Sequence, residues 1–290
     1  MGKLVRMITS DGAVMAIGLD STDIVAEAER IHQTSAVVTA ALGRLLTAAS
    51  MMGNMLKGKD DTITLKMAGD GPAGAIIAAA DSNGDVRGYA VNPVVEIPLN
   101  KVGKLDVSGA LGKQGNLYVV KDLGLKEPYS GSVPFVSGEV AEDITAYYAI
   151  SEQIPTVCAL GVLVNPDLTV RAAGGYILQL LPAADDATID KLEAAVAAMP
   201  PVTTMLDAGM NPQEIIEKAL TGFETEVLYE QTTAYTCNCS RERVERALIS
   251  LGREELAAMA EEMEQAEVNC HFCDKKYVFS NAELQRLKNL

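Results

Sequence analysis

Four of the five cysteines in the chain lie in two close pairs near its C-terminus. The pairs read Cys-x-Cys at positions 237–239 and Cys-x-x-Cys at positions 270–273. A tetrahedral metal site needs four ligands at one point, and two such pairs supply them when the chain between them folds back. Thiolates are soft ligands, so four of them select zinc over magnesium or calcium. The spacing predicts one Zn²⁺ ion held by Cys237, Cys239, Cys270 and Cys273.

The single residue between Cys237 and Cys239 leaves the role of this site open. Two sulfurs at this spacing can share one metal ion, and they can also form a small, strained disulfide ring. Strained disulfides have more oxidising potentials and are the labile, regulatory kind. Three interpretations therefore stand together: a structural zinc site, a site that is both metal-bound and oxidisable, and a catalytic dithiol.

Composition narrows the class of protein. The 290 residues are 48% hydrophobic but only 4% aromatic and contain no Trp, which predicts an aliphatic core. The net charge of −15 opposes nucleic-acid binding. Five cysteines are too few for a disulfide-dense secreted protein, and we find no signal peptide and no apolar run long enough to span a membrane. We therefore expect a cytoplasmic location, with no membrane or nucleic-acid partner.

Charge and pattern divide the chain into three parts. Residues 185–236 carry ten acidic side chains against Lys191 and Lys218, whereas both neighbouring parts are closer to neutral. We predict an N-terminal α/β core domain over residues 1–184, an acidic amphipathic helical linker over 185–230, and a C-terminal zinc-binding domain over 231–290, which is the redox-switch domain if its cysteines are oxidisable. The fold class is α+β, in which a mixed α/β first domain of β-hairpins and packed helices precedes the linker and the small zinc domain.

The first domain is predicted to begin with a hairpin and a long helix. Residues 3–8 and 14–19 alternate like strands around a turn, and residues 21–57 have a helical pattern with a break near 34–35. Further strands are expected over residues 62–67, 76–80, 86–91, 117–120, 156–164 and 169–181, and a helix over 139–150.

A glycine-rich loop at residues 69–74 fits Gly-x-Gly-x-x-Gly, the pattern of a dinucleotide-binding loop. That site needs a helix to begin at the loop. Here Pro72 and a short apolar run lead to Asn83-Gly84, which is typical of a hairpin turn. We interpret the loop as a tight connection between strands.

Helices are also predicted in the linker, over residues 185–199 and 211–220. The C-terminal domain should contain a helix capped by Ser240, a strand over residues 275–279, and a last helix with a capping box at Ser280 and Glu283. A domain of this size has a marginal core, and a metal ion is a common supplement.

Three other reactive residues are assigned no catalytic role. His32 is interpreted as a packing residue of the long helix, and His271 is not expected to bind the metal because the flanking cysteines already do. With only two histidines, the chain has few candidates for the base of a catalytic triad. Cys158 lies in an apolar strand and is interpreted as a small core residue.

With these residues in place, the chain resembles the heat-shock protein 33 family of bacterial redox-regulated chaperones. The C-terminal Cys-x-Cys and Cys-x-x-Cys pairs carry the resemblance, which runs essentially end to end. Further stretches that look familial are Ala41-Leu42-Gly43-Arg44, the loop at 69–74, Lys121-Asp122-Leu123-Gly124, Ser137-Gly138-Glu139, Ser151-Glu152-Gln153 and Ala173-Gly174-Gly175.

The resemblance implies a mechanism that spacing alone leaves open. The reduced protein would hold one Zn²⁺ through the four cysteines and be inactive. Oxidation by peroxide or hypochlorous acid would form the disulfides Cys237–Cys239 and Cys270–Cys273 and release zinc. The zinc domain and linker would then lose structure, and a homodimer would bind unfolding client proteins without ATP. Such a holdase is not an enzyme.

Two other functions compete with this interpretation. A zinc-ribbon nucleic-acid binder should be basic, whereas residues 237–290 carry ten acidic and eight basic side chains beside an acidic linker. A thiol–disulfide oxidoreductase should carry its Cys-x-x-Cys at the start of a helix. Here the pair at 270–273 leads into Lys275-Lys276 and a predicted strand.

Overall fold

A computed structural model describes residues 1–289 of the chain. The chain forms two compact units, Met1–Thr236 and Cys237–Leu290. Mixed helices and strands confirm the predicted α+β class.

The first unit contains two five-stranded antiparallel sheets. One has the order β10-β1-β2-β9-β8 and the other the order β5-β4-β3-β6-β7. The strands are β1 (Gly2–Thr9), β2 (Val14–Asp20), β3 (Thr62–Gly69), β4 (Ala75–Asp81), β5 (Val86–Ala90), β6 (Gly115–Asp122), β7 (Tyr129–Pro134), β8 (Thr156–Val164), β9 (Val170–Leu180) and β10 (Thr225–Thr233).

The helices of this unit follow the chain between the strands. They are α1 (Thr22–His32), α2 (Ala36–Asn54), α3 (Val107–Leu111), α4 (Val140–Tyr147), α5 (Asp186–Ala197), α6 (Val202–Asp207) and α7 (Pro212–Ala219). A single π-helical turn, Tyr148–Glu152, continues α4.

Helix α2 is the centre of the main hydrophobic core. It contacts strands of both sheets, and almost all of its residues are buried. Contrary to the expectation from the sequence, α2 is long and apolar enough to cross a membrane, but 89% of this apolar stretch is buried inside the protein. The apolar character of α2 is therefore explained by packing between sheets.

Local sequence signals place the N-terminal elements as expected. The first hairpin is present, and the predicted break near 34–35 falls where Gln33 adopts a left-handed conformation. The glycine-rich loop joins β3 to β4 as an antiparallel pair, so no helix follows it. The hairpin interpretation of that loop is confirmed.

A second core lies on the face of the first sheet that α5, α6 and α7 cover. Buried apolar residues of these helices, including Leu192, Met205 and Ile216, pack with residues of β1, β2 and β9. A Cβ at Gly18 would lie 3.0 Å from Ile216 Cδ1, so this glycine lets α7 approach β2 closely. The acidic helices are thus docked on the sheet.

The predicted boundaries at 184 and 230 do not separate compact units. Residues 185–220 pack on the sheet, and β10 crosses position 230 because it pairs with β1 along its whole length. Strand β10 and helix α6 were not predicted. The division of the chain into three functional parts stays a prediction.

The second unit is built on a two-stranded sheet and three helices. They are α8 (Arg241–Ser250), α9 (Arg253–Glu262), β11 (Gln265–Asn269), β12 (Lys276–Ser280) and α10 (Asn281–Lys288). Ser280 and Glu283 form the predicted capping box at the start of α10. Eight buried residues form the core of this unit, led by Phe279, Leu284 and Leu256.

Candidate metal centre

The two cysteine pairs lie on different kinds of backbone. Cys237 and Cys239 occupy the extended segment before α8, which Ser240 caps by accepting a hydrogen bond from Arg243 N. Cys270 and Cys273 occupy the turn that joins β11 to β12. Local helix capping and a strand turn therefore fix the two halves of the site.

The turn between β11 and β12 is held by backbone hydrogen bonds. Asp274 N donates to Cys270 O at 2.8 Å, and Cys270 N donates to Lys275 O at 3.0 Å. Asp274 has a φ of 57°, the left-handed conformation that a tight turn needs. Both sulfurs of the pair are thereby directed toward the same point as the first pair.

The four sulfur atoms all lie within 4.8 Å of one another. Cys237 Sγ is 3.6 Å from Cys270 Sγ, and Cys239 Sγ is 3.4 Å from Cys273 Sγ. Metal–sulfur bonds of about 2.3 Å in a tetrahedron place the sulfurs about 3.8 Å apart. The cysteines are free thiols, and their spacing is that of ligands around one ion. The four can hold a metal ion, as the sequence predicted.

The core of the second unit supports the site from one side. Cys239 and Cys270 pack against this core, and all four cysteines are half-buried. Tyr277, on β12, is buried and its hydroxyl donates a hydrogen bond to Cys239 Sγ at 3.1 Å. Tyr277 thus fixes the orientation of one ligand from outside the cluster.

The thiols differ in their ease of ionisation. Burial raises the pKa of Cys237 and of Cys273. Burial also opposes ionisation of Cys239, but hydrogen bonds from Tyr277 and from the neighbouring thiols outweigh it and lower its pKa to about 7. The protein therefore stabilises a thiolate at this point, which is the form that binds a metal ion.

The donor set fits zinc better than a hard cation. Four cysteine sulfurs with no carboxylate in the group match the soft ligand set of structural zinc sites. Cys237, Cys239, Cys270 and Cys273 would hold the ion, which would offset two of the four negative charges on the thiolates and tie α8 to the turn before β12.

The other residues singled out in the sequence are not members of this group of four. His271 is exposed, and its exclusion from the ligands stays a prediction. Cys158 is on β8 and packs against the main core, where burial raises its pKa to about 12. His32 Nε2 lies 3.1 Å from Tyr235 Oη, at the end of the first unit.

Sequence reasoning missed Tyr277 as part of the site. The alternating pattern of β12 buries Tyr277 and Phe279 on one face, and this period was available from the sequence. The alternation could not indicate that the Tyr277 hydroxyl bonds to Cys239, because the two residues are 38 positions apart.

The chain is similar to known proteins over nearly its whole length. The family model described as Hsp33 protein matches residues 2–280. A 33 kDa chaperonin of Acetivibrio thermocellus is 49% identical over 98% of this chain and 96% of its own length. The 33 kDa chaperonin of Bacillus subtilis is 47% identical over 100% of this chain and 99% of its own length.

A solved structure shows the same architecture. The crystal structure of the 33 kDa chaperonin of Thermotoga maritima, a heat shock protein 33 homologue, has a TM-score of 0.89 and 36% sequence identity. The similarity covers 99% of this chain and 97% of that one. Because the family model and the relatives match nearly the whole length, the chain belongs to the Hsp33 family of chaperones.

Proposed function

We propose that this protein is a redox-regulated, ATP-independent holdase that protects unfolding or oxidatively damaged proteins from aggregation. The observation that carries the proposal is the convergence of four cysteine sulfurs within 4.8 Å in a small separate unit. In the reduced, inactive state Cys237, Cys239, Cys270 and Cys273 hold one Zn²⁺ ion. The protein is not an enzyme, and its partners are unfolding client chains in the cytoplasm.

The small core of the second unit makes its fold dependent on the metal. Eight buried residues form that core, and a domain of this size rarely gains more than about 3–5 kcal/mol from its core alone. Structural zinc supplies about 10–16 kcal/mol of apparent binding free energy. Loss of the four thiolate ligands should therefore unfold residues 237–289.

Oxidation removes those ligands in two equivalent steps. In each step two cysteine thiolates give up two electrons and one sulfur–sulfur bond forms, while one hydrogen peroxide takes up those electrons and two protons from solvent to give two waters. Two peroxides thus convert four cysteines into the disulfides Cys237–Cys239 and Cys270–Cys273, the pairing that the family resemblance implies. Peptide mapping of the oxidised protein checks this pairing.

The acidic helices connect the switch to the client-binding state. Helices α5, α6 and α7 are short, and isolated helices of this length are marginal in water. Their stability comes from the apolar face of β1, β2 and β9, against which they pack. When these helices undock, that face of the sheet is exposed to unfolding clients. The active form is a homodimer, and it has no nucleic-acid or membrane partner.

The direct test measures zinc content and suppression of client aggregation before and after peroxide treatment. We expect the reduced protein to hold one zinc ion and to suppress aggregation poorly. The oxidised protein should be free of zinc and active, and Cys158→Ser should behave like the unaltered chain. Equal activity of the reduced, zinc-bound protein would contradict the proposal.

A further inference from the structure

The last residues of the first unit cover the end strand of the second sheet. Strand β5 ends that sheet, and Tyr235 lies beside Val86 as an isolated parallel bridge. Val86 N donates to Ala234 O at 3.0 Å, and Thr236 N donates to Val86 O at 2.9 Å. Residues 234–236 therefore occupy the outer edge of β5 as a short added strand, which we name the edge segment.

The side chain of Tyr235 extends this cover by one more pair of backbone groups. Its hydroxyl donates to Gly88 O at 2.8 Å and accepts from Gly88 N at 3.3 Å. One hydroxyl thus satisfies both outward-facing backbone groups of the next edge position. His32 Nε2, at 3.1 Å, and the Asp85 carboxylate, which accepts from Ala234 N at 2.8 Å, hold the edge segment in place.

The edge segment directly precedes the cysteine cluster in the chain. Thr236 is the last residue of the first unit, and Cys237, the first cysteine of the metal cluster, follows it directly. The segment is held at its end by only a few backbone bonds. Unfolding of residues 237–289 would leave the hydrogen bond of Thr236 at the end of an untethered chain, where fraying begins.

We propose that the β5 edge is a docking site for an extended segment of an unfolding client protein. The edge segment occupies this site in the reduced protein and leaves it after oxidation, so the inference rests on the function proposed above. The client then adds as a strand beside Val86–Ala90 and forms the backbone hydrogen bonds that residues 234–236 form now.

The chemistry of the edge favours an unfolded polypeptide as the occupant. Unpaired backbone N–H and C=O groups on an end strand pair with any extended chain. Binding through the main chain does not depend on the client's sequence, as a chaperone for many clients requires. The present occupant is itself an extended peptide in parallel register, which shows that the edge accepts one.

Hydrogen exchange at Val86–Ala90 tests the proposal on the full-length protein. The probe client is reduced, carboxymethylated α-lactalbumin, which stays unfolded. We expect protection in the reduced protein, faster exchange after oxidation, and renewed protection when the oxidised protein binds the probe. Strand β3, Thr62–Gly69, is paired on both sides within the same sheet and is the matched control, whose exchange should not respond to the probe.

Each other outcome overturns the proposal in a distinguishable way. If the oxidised protein binds the probe and Val86–Ala90 remains unchanged, the docking site is wrong and the chaperone function stands. If the oxidised protein does not bind the probe at all, the proposed function fails first. Renewed protection without the probe that rises with protein concentration would assign the edge to a second copy of this chain.

A pair of tyrosine variants separates the edge from general destabilisation. Tyr235→Phe removes the hydroxyl that bonds to Gly88 and to His32, and we expect exchange at Val86–Ala90 in the reduced protein to rise roughly two- to tenfold. Tyr229→Phe also removes one hydroxyl bond, to Asn54 Oδ1, but does not touch β5. It should leave this exchange unchanged, with one zinc ion retained in both variants. Equal effects of the two variants would refute the capping role of Tyr235.

Discussion

Ile216 offers the sharpest test of the docked helices, because it is fully buried between α7 and the first sheet. Ile216→Ala removes buried carbons from this contact and should cost about 2–5 kcal/mol. Helix α7 has eight residues and little stability of its own, so the cost falls mainly on docking. At about 1.4 kcal/mol per factor of ten, a loss of about 3 kcal/mol raises the undocked population about a hundredfold.

The expected result is chaperone activity without oxidation. Reduced, zinc-bound Ile216→Ala should suppress client aggregation more strongly than the unaltered protein, and exchange across residues 186–219 should be faster. Ile177→Ala is the matched control, since Ile177 is equally buried but belongs to the main core on the other face of the sheet. It should lower the melting temperature without activating the reduced protein. The reasoning fails if Ile216→Ala speeds exchange in α7 and the reduced protein stays inactive.

Three further predictions concern other parts of the chain. Cys158→Ser should keep zinc binding and oxidative activation but lose about 1–3 kcal/mol in denaturant unfolding, because a hydroxyl replaces a thiol against the main core; loss of zinc would contradict it. Tyr277→Phe should retain one zinc ion with about 10–100-fold weaker affinity in chelator competition, since Cys239 loses its hydrogen bond; unchanged affinity would remove Tyr277 from the site. Burial opposes ionisation of Glu152, but hydrogen bonds from Lys121 and Tyr147 lower its pKa below the usual 4.5. Ionised Glu152 therefore stabilises the fold above pH 4.5, and this stabilisation is lost as the pH falls through the lowered pKa. Glu152→Gln should lose less stability on acidification than the unaltered protein. An equal dependence of stability on pH in the two proteins would count against this.

The sequence was sufficient wherever a structure depends on neighbours along the chain. Each cysteine pair is complete within a few residues, and so is the Ser280 and Glu283 pair that predicted the start of α10. The need of one metal ion for four ligands is what joined the two cysteine pairs. The Asn83-Gly84 turn likewise identified the hairpin of β4 and β5.

Features that depend on distant partners were missed. Strand β10 is acidic and mostly exposed, so its pattern resembles a solvated linker, and only its pairing with β1 makes it a strand. The π-helical turn at Tyr148–Glu152 is fixed in part by Lys121, which contacts Glu152 from another element. Neither partner can be read from the local sequence.

The pairing of β1 with β10 also sets an order on synthesis. Strand β1 is made first, and its outer partner begins about 200 residues later, a delay of about 10–40 s at usual rates of translation. During that interval the ribosome-bound chain carries β1 with one side unpaired, and the sheet is completed only as Thr225–Thr233 emerges. The last cysteine of the cluster, Cys273, is translated 40 residues after Thr233. A newborn molecule therefore has every strand of its first sheet translated before the four cysteines of the cluster are all present.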